Sequence, residues 1–263
     1  MFKERSLSPA LSRVREEHIA DALVLDCEGD FQSLPPEALD DLALITDSIS
    51  PVSYPDEWLP EDAPEILRRY AGPDFIVGTP GDGSIMWTAQ TTPPICFVKA
   101  RIEGVPEEFV SFLIAEALVE IGLDLPEGFL GFFGERYPDL ARATALDPNS
   151  VYQIGNALYT GWRGLHTREV FADWKIDEPE LHTAWMDAGR RLEGRVSELP
   201  KLVARNELDF AEATELACGA IKHGLDLPAP FGALDTKAYR EHGASFGVRW
   251  AEKTFEAVAE SEE

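Results

Sequence analysis

Apolar residues recur at helical spacing along most of this chain, and the exceptions are short and clustered. In SLSPALSRVREEHI the pattern predicts a short helix, with Ser8 as N-cap and Pro9 in the first turn, where a missing amide donor costs nothing. A second helix is expected after Ser33, carrying Leu39, Leu42 and Ile45. DAPEILRRYAG reads as a third, opened by an Asp62/Glu65 capping box and closed near Gly72. The proline-rich SPVSYPDEWLPEDAP before it reads as an ordered loop.

The period then changes. Three runs of strand composition, Phe75–Gly78, Ile85–Gln90 and Ile95–Ile102, are separated by turn residues and predict an antiparallel meander, with Gly81–Gly83 as a hairpin turn. From Pro106 onward the helical period returns. Asp147-Pro148 opens a helix with Val151, Gly155, Leu158, Trp162 and Leu165 on one face. Asp177 with Glu180 and Asp209 with Glu212 open the next two, and Asp235 opens the last, which carries Tyr239, Gly243, Phe246 and Trp250. The fold class expected is α+β, mainly helical with a small three-stranded antiparallel sheet. No low-complexity linker divides the chain, so residues 1–263 read as a single domain: helices plus the β-meander in 1–130, a helical half in 131–263.

The word GLDLP occurs twice, at Gly122–Pro126 and Gly224–Pro228. Both copies come after a helical run, so each reads as a helix stop joined to a helix start. Glycine takes the left-handed position, and Asp124 or Asp226 caps the next helix. The flanks match only loosely, which favours two independent corners over an internal repeat.

Charge changes the picture more than hydropathy does. Forty-eight acidic residues face 23 basic ones, a net charge of −25, and the acids are scattered rather than blocked. Acidic partner-binding tails come in runs of like charge. A dispersed acidic coat is instead an adaptation to molar salt, where screening shrinks to about 3 Å. The lack of clustered Lys and Arg disfavours nucleic acid as a partner, and none is expected. Cys27, Cys96 and Cys218 are far apart and odd in number, which fits buried thiols in a reducing compartment. The N-terminal MFKERSLSPAL has no apolar signal-like core, and FVSFLIAEALVEIG is too short and too charged to span a bilayer. A cytoplasmic protein with no membrane association is expected.

One region escapes the acidic bias. Residues 1–130 carry −17 and 206–263 carry −7, but 151–205 carry zero. That segment also holds three of the six tryptophans. Its Trp162, Arg163, His166, Arg168, Trp174, His182, Trp185 and Arg190 form the candidate binding or interface set, since aromatics with arginine mark interface centres. The competing reading places the same side chains in a helical core. Glu116 and Glu120, four apart on an apolar helix, are the weak candidate metal ligands; the alternative is that they pair with arginines of a neighbouring helix or lie on a strip that stays wet. A pocket joining them to His166 and His182 would suit a hydrolase or a metal-dependent enzyme. Gly243-Ala-Ser245-Phe-Gly247 matches a nucleophile elbow in letters only, since no strand precedes it and no Asp or His comes after Ser245. Gly78-x-x-Gly81-x-Gly83 lacks the lysine of a phosphate loop. No cofactor is called for, and no catalytic residue can be named.

The strings SLSPALSRVREEHIADALVLD, GDGSIMWTAQTTPP and GLHTREVFADW, with the second GLDLP, resemble an uncharacterised protein family of halophilic archaea, a domain of unknown function. The resemblance runs nearly end to end and implies a high-salt cytoplasm. It brings no activity, cofactor or site residue. The function expected is non-enzymatic self-association or binding of a protein partner through residues 151–205.

Overall fold

The computed structural model describes residues 1–31, 36–78 and 83–262. In chain order the elements are β1 (Phe2–Glu4), α1 (Pro9–His18), β2 (Leu23–Cys27), α2 (Pro36–Ala43), β3 (Ser48–Ile49), α3 (Glu65–Ala71), β4 (Ile85–Thr88), β5 (Thr91–Thr92), β6 (Ile95–Val98), α4 (Glu107–Gly122), α5 (Phe129–Phe133), α6 (Tyr137–Thr144), α7 (Pro148–Asp177), α8 (Pro179–Ala204), α9 (Phe210–Ile221) and α10 (Lys237–Glu262). Helices dominate, as expected. They fall into two compact units, one of residues 1–53, 69–127 and 173–185, the other of 54–68, 128–172 and 186–263.

The sheet of the first unit departs from the expected meander. It is mixed, in the order β1-β2-β6-β4, with β2 and β6 parallel and the two outer pairs antiparallel. A separate antiparallel ribbon joins β3 to β5. The run LVLDC lies outside the three expected strands, yet its near-continuous apolar character is what an interior parallel strand requires, because both its faces are covered. Its neighbour β6 is buried at every position. Phe75–Gly78, by contrast, is not a strand. Phe75 and Val77 still join the core with Leu25, Met86, Ile95 and Phe97. The side-chain amide of Gln90 donates to the Ile76 carbonyl at 2.9 Å, and its carbonyl oxygen accepts from the Val52 amide at 2.9 Å. One glutamine thus takes the place of a strand partner. The next expected strand ends at Thr88, and the last at Val98, where a 3-10 turn takes over from Ala100 to Ile102. The Ser33 cap and, apart from Gly83, the Gly81–Gly83 turn fall outside the described residues.

Local capping signals fare better. Ser8 accepts from the Leu11 amide at 3.3 Å. Asp147 accepts from the amides of Asn149 and Ser150, at 3.0 and 3.2 Å. Asp209 and Glu212 complete a reciprocal capping box. Two starts are displaced by a residue. The cap of α8 is Glu178 instead of Asp177, with Pro179 as the first helical residue. The cap of α10 is Thr236, whose hydroxyl accepts from the Tyr239 amide at 3.2 Å, while Asp235 pairs with Arg168. At the third helix, Pro64 takes the first amides, from Leu67 and Arg68, so Asp62 does not cap it.

The two copies of GLDLP do different things. Gly224 has φ +63 and ends α9 as expected, but no helix starts at Asp226; a stretch without regular structure leads to a 3-10 turn at Phe231–Leu234. In the first copy the left-handed residue is Asp124, with φ +53, and Gly122 belongs to the last turn of α4. Gly122 is there for space. A Cβ on it would stand 2.5 Å from the His18 carbonyl oxygen and 2.8 Å from the His18 Cβ, where α1 crosses α4. Gly122→Ala therefore forces the two backbones apart and costs about 1–3 kcal/mol. Asp124→Gly relieves a positive φ and leaves stability unchanged or slightly higher. Thermal melting of the two variants checks the contrast; equal melting points overturn it.

The second unit is helical. Its core holds Phe129, Leu130, Leu140, Ile154, Leu158 and Ile221, all inaccessible to solvent. The phenol of Tyr239, also inaccessible, donates to the Leu158 carbonyl at 2.7 Å, and burial raises its pKa. The three cysteines are free and buried, and burial raises their thiol pKa values, that of Cys27 to about 12. They are inert packing residues.

Candidate binding surface

The charge-neutral segment divides between the units. Residues 173–185 belong to the first. There Trp174 is buried and meets Phe112 edge-on, with ring centroids 6.4 Å apart. Trp185 is buried, with His182 5.5 Å away ring to ring. Beside them the buried Glu178 carboxylate accepts from Arg13, Nη2 to Oε2 at 2.8 Å.

The other five residues of the set lie in the second unit. Trp162 is half-buried against Phe132, at 4.9 Å, and His166, at 4.5 Å. Its indole donates to the Arg240 carbonyl at 3.1 Å. Burial and the Arg240 guanidinium lower the His166 pKa, and its buried Nε2 has no hydrogen-bond partner among the described residues. Arg163 lies over the Tyr159 ring at 4.6 Å. Arg168 pairs with Asp235, and the exposed Arg190 pairs with Asp187 one turn away. So the structure brings Trp162 and His166 together, and it places Trp174 and Trp185 in packed interior.

Gly243 stands beside Trp162 with φ +47 and ψ −125, a break that divides α10. The expectation that the last helix carries Gly243 as one of its residues is corrected here: Gly243 interrupts it. The Ser245 hydroxyl donates to the His242 carbonyl at 2.9 Å in the helix beyond, with no strand-to-helix turn to expose it.

Glu116 and Glu120 lie in the first unit on α4. Glu120 is buried and accepts from the Trp87 indole at 2.8 Å, and Glu116 is half-buried. Of the two histidines expected to share a pocket with them, His182 lies in their unit and His166 belongs to the other. Among the described residues no three His, Cys, Asp or Glu side chains are grouped so as to hold a metal ion.

A further concave feature lies outside the candidate set. A groove of about 800 Å³ opens in the second unit. Its walls come from the end of α8 (Val203), the start of α9 (Phe210), the loop at Pro230 and Ala233, and α10 from Phe246 to Val258. Aromatic packing builds the floor. Phe210 stacks on Phe231 at 5.5 Å and on Trp250 at 6.2 Å, and meets Phe255 edge-on at 5.1 Å. The Trp250 indole donates to the Pro230 carbonyl at 3.1 Å, so its polar end is satisfied and its face is left apolar. Two cations, Arg249 and Lys253, line the groove from successive turns of α10, and among the described residues no acidic side chain lines it. Phe246, Trp250, Lys253 and Ala257 keep helical spacing, so the sequence does carry a signal for this face. The −7 carried by residues 206–263 as a whole hides it.

Fold and groove together describe a mainly helical α+β protein with a small mixed sheet and an open apolar cleft. The chain belongs to a family described as one of unknown function (DUF7089), whose model matches residues 1–258. Neither curated proteins nor solved structures yield a match. Among the described residues no helix is long and apolar enough to cross a membrane.

Proposed function

We propose that this chain is a non-enzymatic binding protein of a salt-rich cytoplasm and that the groove of its helical unit is where it binds. One observation carries the reading. In a chain with 48 acidic residues, a groove of about 800 Å³ is walled among the described residues by aliphatic and aromatic side chains, Thr254, two cations and no anion. Its volume lies within the range of small-molecule sites. The test uses Nile red, an uncharged apolar fluorophore, in molar salt. One equivalent binds the wild-type protein, and Ala257→Trp, which fills the groove from an exposed position, abolishes binding without lowering the melting temperature. Absence of binding, or binding indifferent to the substitution, overturns the reading.

A second reading keeps self-association or partner binding on residues 151–205. It is favoured by Ile176 near the end of α7, an aliphatic side chain 84% exposed in the charge-neutral stretch.

A further inference from the structure

The walls of the groove also indicate what kind of molecule suits it. Arg249 and Lys253 are four residues apart on α10 and therefore project from one face. Both are exposed. Among the described residues neither forms an ion pair; Arg249 makes a hydrogen bond from Nε to the Ser245 carbonyl and holds its guanidinium 6.0 Å over the Phe246 ring. Exposed arginines elsewhere in the described residues differ among themselves: Arg190 pairs with Asp187 and Arg142 with Asp139, whereas Arg136, Arg191 and Arg195 make no ion pair, so what sets Arg249 and Lys253 apart is their place at the groove. Two neighbouring cations without a carboxylate partner, on a groove that no acidic side chain lines among the described residues, are a local complement to an anion.

The opposite wall has a different character. Phe210, Ala229, Pro230 and Ala233 offer only carbon surface to the groove, apart from backbone groups, and the Pro230 carbonyl is already taken by Trp250. A ligand that satisfies both walls has an apolar body and one anionic end. We propose that the groove binds a single-tailed amphiphile with a carboxylate-type head, its chain over Phe210 and Trp250 and its head at Arg249 and Lys253. This rests on the binding reading above and adds the chemical class of the ligand. Burial of the chain supplies most of the affinity. The charge-assisted hydrogen bonds to the head supply orientation and selectivity.

Displacement of Nile red by three probes of equal chain length separates the two claims: decanoate, decanol and decylammonium, each titrated into the wild-type protein in molar salt. Decanoate is expected to displace the dye about tenfold more tightly than decanol, and decylammonium more weakly than either. In the double variant R249Q/K253Q, whose changes are both on exposed side chains, the advantage of decanoate falls to less than twofold while decanol is unchanged. Equal affinity of decanoate and decanol for the wild type overturns the anionic head and leaves the groove as a binding site. A decanoate advantage that survives in R249Q/K253Q overturns the assignment to these two side chains. Failure of all three probes to displace a dye that does bind overturns the single-tailed ligand, and failure of the dye itself to bind overturns both readings.

Discussion

Trp174→Ala destabilises the protein by about 3–5 kcal/mol, the usual cost of removing a buried aromatic ring. In a chain of this size that lowers the melting temperature by on the order of 10 °C. Trp174 is 4% exposed and packs edge-on against Phe112, which is fully buried and itself lies 6.2 Å from Phe109. Alanine leaves a cavity bounded by helix α4, whose apolar side chains are anchored on other sides and cannot all collapse into it. Thermal melting in molar salt reads the loss, and native mass of the same sample reads association. A folded fraction with unchanged mass identifies Trp174 as core. A melting temperature within about 2 °C of wild type, less than even 1 kcal/mol would give, or a change of mass without a change of melting, places the ring in an interface instead.

Transfer from molar salt to about 50 mM salt loosens the fold. At −25 the exterior repels itself, and neighbouring exposed acids such as Glu16 with Glu17, Asp56 with Glu57, and Glu107 with Glu108 stand side by side. Around 1 M salt the screening length is about 3 Å, shorter than the gap between most such groups. Near 0.05 M it exceeds about 10 Å, and repulsion sums across the surface. Ion pairs offset little of this, since 23 cations cannot neutralise 48 anions and exposed pairs contribute about 1 kcal/mol or less each. Far-UV circular dichroism through a salt dilution, with a thermal scan at each step, is expected to show a steadily falling and broadening transition. A sharp transition at an unchanged temperature in about 50 mM salt refutes the salt adaptation.

What the sequence discloses and what it hides divide along the range of the interaction. Helix starts at Ser8, Asp147 and Asp209 are legible because a cap is settled within four residues. Strand partners are not. Whether LVLDC pairs with ICFV depends on residues some seventy positions apart, and an antiparallel meander is the simplest local solution. Gly122 and Gly224 sit in identical words, yet one serves a helix crossing and the other a left-handed turn, a distinction made by His18, which lies far back in the chain. The neutral Trp/Arg segment stands out in the sequence by its charge, but charge does not say which side of a helix faces inward. Its tryptophans are buried or half-buried, and the residues around the groove escape notice because their two cations sit among acids within the same helix.

Each of the two compact units is assembled from three separate stretches of chain, and residues 173–185 return to the first unit from the middle of the sequence. No single cut, wherever it is made, releases either body whole. A fragment ending at Glu127 lacks Trp174, Glu178 and Trp185, and one beginning at Gly128 carries those side chains without the partners that bury them. Trimming this protein to a smaller soluble piece is therefore a matter of rejoining segments, and ordinary truncation from either terminus is expected to yield insoluble chain.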